Sequence, residues 1–187
     1  MPEHENAKLR RIRQLYSLGD LQLALSAATF LSECDPDEPI SKVELRRFKS
    51  YETAMVVAYA RPFSAARGAD RIPPLSLKMT GAKLSPEQRA LHDRLIGFRN
   101  KAFAHSDGDM MRMLVRPMTL DGKEEGETIT LVQTVFDEGL TFLGMELIHV
   151  IELMNAIYGA LYHQLHLEAQ ESPEKFDFRH DHLHTGV

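Results

Sequence analysis

The 187 residues carry 43% hydrophobic and 26% charged side chains with a net charge of −5, enough apolar material for one ordinary core and a single domain over residues 1–172. No stretch approaches the length of an apolar membrane span, and the charged start MPEHENAKLRRIRQ leads into no signal-like run, so a soluble, cytoplasmic protein is expected. The single cysteine, Cys34, lies between Glu33 and Asp35, which excludes an internal disulfide and leaves the thiol without a neighbouring cation to activate it; a structural role is expected.

From about Ala7 to Leu31 apolar residues recur at spacings of three and four, through Leu9, Ile12, Tyr16, Leu18, Leu21, Leu25 and Ala28. This predicts a helix, with a break near Gly19-Asp20. Asp35-Pro36-Asp37-Glu38-Pro39 stops it, since two prolines in five residues cannot continue a helix. Ser41-Lys-Val-Glu44 then reads as a capping box that opens a second helix, with Phe48, Tyr51, Met55 and Tyr59 facing inward and Pro62 ending it. Residues 61–84 show no clean periodicity and predict a long, mostly irregular connection.

The next helix has the clearest start in the chain: Ser85 as N-cap, Pro86 at the first helical position and Gln88 three residues after the cap. It is expected to reach about His105, with Leu91, Leu95, Phe98, Ala102 and His105 on one stripe before Ser106-Asp107-Gly108. Alternation over residues 111–136, interrupted by a polar segment around Asp121-Gly122, predicts a β-hairpin. A last long helix, capped by Asp137, is expected to carry Leu140, Leu143, Leu147, Ile151, Met154, Tyr158, Leu161 and Leu165. The charged, His-rich residues 173–187 read as a flexible tail. The predicted fold is mainly α: a four-helix up-and-down bundle with a hairpin inserted before the last long helix.

The segment Arg99-Asn100-Lys101-Ala102-Phe103-Ala104-His105 carries the chemistry. Cleaving RNA without a metal needs a base for the 2′-hydroxyl, an acid for the 5′-oxygen leaving group and a cation beside the phosphorane. Histidine does proton work near neutrality, and arginine can grip two phosphate oxygens at once. On a regular helix Arg99 and His105 would sit roughly 120° apart and about 9 Å along the axis. One copy cannot easily bring both to one phosphate, which favours a site built between two subunits.

This segment, an arginine, an adjacent polar residue and a histidine after five intervening positions, resembles the signature of the HEPN superfamily, and with the following Ser-Asp its abortive-infection branch. The resemblance covers seven residues and, loosely, the helix order. It implies a metal-independent ribonuclease in a toxin or phage-defence setting, acting as a homodimer without a cofactor. Arg99, Asn100 and His105 would be the catalytic set. The other reading is a non-catalytic helical dimerisation module, or a nucleotide- or RNA-binding one, that serves an antitoxin or effector protein. On that reading His105 is a half-buried histidine near a helix end, favoured there by the dipole.

Charge is unevenly distributed. Residues 1–116 hold 19 Lys and Arg against 14 Asp and Glu, whereas residues 117–187 hold 3 against 13. Arg94, Lys101, Arg112 and Arg116 are the candidate RNA-binding residues, with Arg61, Arg67, Arg71 and Arg89 as further cations that could guide a phosphate backbone. No metal site is expected: His180, His182 and His184 alternate in the tail, and His163 and His166 share a helix face without a matching Cys or carboxylate. Met110, Met111, Met113 and Met118 read as packing material.

Overall fold

The computed structural model describes residues 3–65, 72–100, 113–121, 128–136 and 139–177. Its elements are α1 (Glu3–Leu31), α2 (Lys42–Ala60), a single-turn α3 (Leu77–Thr80), α4 (Pro86–Phe98), the strands β1 (Met113–Asp121) and β2 (Thr128–Phe136), α5 (Gly144–Glu171) and a final 3-10 turn (Pro173–Phe176). The chain is mainly helical, with a two-stranded antiparallel hairpin before the last long helix.

Four helices close into a ring in which α1 and α4 each pack against both α2 and α5. Named contacts give the directions. Between α1 and α2, Phe30 stacks on Tyr51 while Asp20 pairs with Arg61; between α1 and α5, Arg11 pairs with Glu168 while Gln22 reaches Tyr158. In both pairs sequence number rises on one helix as it falls on the other, so the neighbours run antiparallel. Tyr59 meets His92, and Phe98 meets Phe142, which extends the up-and-down order to α4 and α5. The core between them contains Leu21, Ala28, Leu31, Met55, Tyr59, Leu95, Leu153, Ile157 and Leu161, all essentially inaccessible to water.

Local chemistry explains the helix starts. Ser41 accepts from the Glu44 N–H while the Glu44 carboxylate accepts from the Ser41 N–H, and Ser85 and Gln88 do the same at α4. α2 stops at Ala60, two residues before Pro62, as expected.

Three expectations change. The break near Gly19-Asp20 does not occur; α1 runs unbroken through it. A helix-interior glycine costs about 1 kcal/mol, whereas a kink would misalign Ile12, Leu21, Ala24 and Ala28 with the core, and Asp20 is held from outside by Arg61. The connection between α2 and α4 contains α3, capped by Ser76 and ended by Gly81 in the left-handed conformation (φ 72°). α1 ties it down: Arg13 donates to the carbonyls of Ile72 and Pro73, and Gln14 to that of Met79.

The third change is the start of α5, which begins at Gly144 and not after Asp137; Asp137 itself lies outside the described residues. Residues 139–143 precede the helix, and Leu140 and Leu143 pack on the core from there. The preference for a non-helical lead-in comes from a distant residue: the Glu52 carboxylate takes the N–H groups of Thr141 (2.5 Å) and Phe142 (2.9 Å). At the other end, residues 173–177 are part of the packed structure, since the Lys175 carbonyl accepts from Arg11, whose guanidinium also lies 5.1 Å over the Phe176 ring.

Candidate functional site

Arg99 and Asn100 continue α4 as a wider π-helical turn, and the Arg99 N–H is shared between the carbonyls of Leu95 and Ile96. Such turns interrupt the regular ladder and recur at functional sites. The half-buried Arg99 sends Nη1 to the Asn100 Oδ1 at 3.0 Å. Asn100, expected to support either the phosphate or the histidine, therefore also orients the guanidinium. An amide oxygen can do this without neutralising the charge, as a carboxylate would.

The end of α4 is set by a relay of contacts that begins in α2. Glu52 has no exposure to water and pairs through Oε2 with Lys49 at 2.6 Å, while Lys49 also donates to the Gly139 carbonyl at 2.9 Å. Its other oxygen holds the Phe142 backbone. The Phe142 ring, fully buried, meets Phe98 edge-on at 5.6 Å, and Phe98 immediately precedes Arg99. A buried carboxylate on one helix thus fixes a loop that fixes the base of the candidate arginine on another.

Among the expected RNA-binding residues, Arg94 is engaged within the fold: it pairs with Glu146 and its guanidinium lies 5.2 Å over Phe142. Arg116 is exposed on β1 opposite Gln133. Arg89 is exposed on α4, and Arg61 pairs with Asp20. His105, Lys101 and Arg112, like Arg67, Arg71 and the tail histidines His180, His182 and His184, lie outside the described residues. Of the proposed catalytic set, the structure describes Arg99 and Asn100 together.

His163 and His166 are exposed on α5, where His166 stacks on Tyr162 with rings 4° from parallel. Among the described residues no group of three His, Cys, Asp or Glu is arranged to hold a metal ion. Cys34 is buried, and desolvation together with Asp35 pushes its thiol up, away from the reactive thiolate.

Two features have no place in the sequence reading. One is Glu52, whose signal was available: it sits at helical spacing between Phe48 and Met55, a carboxylate on an otherwise apolar stripe. The other is a buried polar pair between α2 and α4, the Tyr59 hydroxyl 2.7 Å from His92 Nδ1, with Phe63 edge-on to the imidazole at 4.6 Å. Burial lowers the His92 pKa, partly opposed by Asp93, and pushes the Tyr59 phenol far upward. Both groups are therefore neutral near pH 7, and they share one hydrogen bond whose direction is set by the imidazole tautomer. No signal marks this pair, because His92 follows Leu91 as an ordinary polar residue and its partner is 33 residues away.

Compared with family models, curated proteins and solved structures, the chain shows no significant match to any, and the described residues contain no helix long and apolar enough to cross a membrane.

Proposed function

We propose that this chain is a metal-independent endoribonuclease of the HEPN type, a homodimer in a toxin or phage-defence setting. The observation that carries the reading is the Arg99–Asn100 contact on the π-helical turn that ends α4, inside the motif that resembles the family. A guanidinium oriented by a neutral amide keeps its full charge and its fork for a phosphorane. In this reading His105 of one copy takes the proton from the 2′-hydroxyl, or returns one to the 5′-oxygen, while Arg99 stabilises the charge that develops on the phosphate. The 2′-oxygen attacks phosphorus and the 5′-oxygen leaves, giving a 2′,3′-cyclic phosphate and a 5′-hydroxyl.

His105→Ala and Arg99→Ala should each lower cleavage of mixed RNA by about 10² or more, as expected for loss of an acid–base group or a charge stabiliser. Cleavage by the unaltered protein should persist in EDTA. Undiminished cutting by the His105 variant would remove the assignment.

A second reading is a non-catalytic module for an antitoxin or effector protein. It is favoured by the engagement of basic side chains in ion pairs within the chain, with Arg11 on Glu168, Arg94 on Glu146 and Arg61 on Asp20. Retention of RNA binding with no cleavage under any condition would select it.

A further inference from the structure

Over its described side chains the hairpin differs from the bundle in being open to water on both faces. In β1 and β2 the side chains of residues 115–120 and 128–134 are exposed, with Ile129, Leu131 and Val132 at 46, 44 and 72%. An isolated two-stranded hairpin is at best marginally stable in water and needs further strands or a packed face. Among the described residues no third strand pairs with either edge.

The two edges are not equivalent. β1 carries Pro117 in its middle, paired in register with Val132, and the charged Arg116 beside it. A proline in a strand takes the position whose N–H would face away from the partner, so the outer edge of β1 lacks a central donor. The backbone groups of Val132, opposite that proline, then face the outer edge of β2. Thr128-Ile-Thr-Leu-Val-Gln-Thr-Val-Phe136 has no charge, proline or glycine and is rich in β-branched residues. It carries none of the devices by which exposed edges are ordinarily protected from pairing.

We propose that β2 pairs antiparallel with β2 of a second copy of this chain, about a twofold axis through Val132, to form one four-stranded sheet in the order β1-β2-β2-β1. The strand is self-complementary in that register. Val132 meets Val132 of the other copy, Leu131 meets Gln133, Thr130 meets Thr134 and Ile129 meets Val135, so β-branched residues and threonines face their like and no charges oppose. The proline-blocked β1 edges then terminate the sheet on both sides, so the contact closes as a dimer and does not propagate into a fibre.

This inference rests on the dimeric reading above only for its functional meaning. Phe142, which packs on Phe98 beside Arg99, follows β2 by six residues, a reach of no more than about 20 Å. The paired edge therefore lies close along the chain to the segment that positions the candidate arginine.

The test is the mass in solution of the full chain by light scattering over a concentration series, beside Val132→Lys and Val115→Lys. The unaltered chain and Val115→Lys should be dimeric, and Val132→Lys, which sets two ammonium groups against each other on the axis, should associate at least about tenfold more weakly with unchanged helical circular dichroism. The amides of Thr130, Val132 and Thr134 should also exchange more slowly as concentration rises, a reading independent of any variant. A monomeric unaltered chain at high micromolar concentration overturns both this interface and the two-subunit site. A dimer that persists in Val132→Lys, with those amides unprotected, overturns the interface and leaves a two-subunit site to be formed elsewhere.

Discussion

Glu52 shows how much a single buried carboxylate can organise. Fully shielded from water, it holds an ammonium group on its own helix and two backbone N–H groups 89 and 90 residues away in sequence. Removing one partner from such a cluster strands the others: Glu52→Ala should cost about 3–5 kcal/mol, because Lys49 and the amides of Thr141 and Phe142 lose their acceptor together. Glu52→Gln, which keeps one amide oxygen, should cost less. Urea denaturation separates the two, and equal losses would show that the charge, and not the retained acceptor oxygen, carries the interaction. A second residue-scale prediction concerns His92. Burial lowers its pKa in the folded state below the ordinary 6.5, so the unfolded chain binds the proton more readily. The stability due to the neutral imidazole is present above about 6.5 and is lost as pH falls below it. Melting temperature should therefore drop more between pH 7.5 and 5 for the unaltered protein than for His92→Gln, where that titration is gone; parallel profiles would assign the drop to other groups.

At the scale of elements, starts and stops follow local rules wherever the partners are close in sequence. The capping boxes at Ser41 and Ser85 are readable as letters because donor and acceptor lie three residues apart, within one helical turn. Ser41→Ala should lower stability by about 1 kcal/mol, read as a shift in the denaturation midpoint at constant slope. The start of α5 follows no such local rule. Asp137 is a reasonable cap by composition, yet the helix begins seven residues later at Gly144 (φ 53°), without a side-chain cap. The groups that satisfy the preceding backbone come from α2. Likewise the predicted break at Gly19-Asp20 weighed a local propensity of about 1 kcal/mol and left out the continuous burial of one face of α1, which outweighs it. The hairpin was legible from period-two alternation, and its strands fall within the predicted residues 111–136.

For the whole molecule, the helical periods, the caps and the alternation of residues 111–136 determined a mainly α chain with a hairpin before its last helix, since each of those signals is carried by neighbours within a turn or a strand pair. They also picked out Arg99 and Asn100, two adjacent residues that remain adjacent however the chain folds. Tertiary structure decided what comes together from afar: that arginines of α1 and α4 pair with acidic α5 through Arg11–Glu168 and Arg94–Glu146, that Tyr59 meets His92, and that Glu52 reaches Phe142, which packs on the residue preceding the candidate arginine. The physical reason is one of range. Propensity, capping and alternation act between residues close along the chain, whereas burial and ion pairing depend on which helix faces are pressed together, and that is settled only when the four helices close around a shared core.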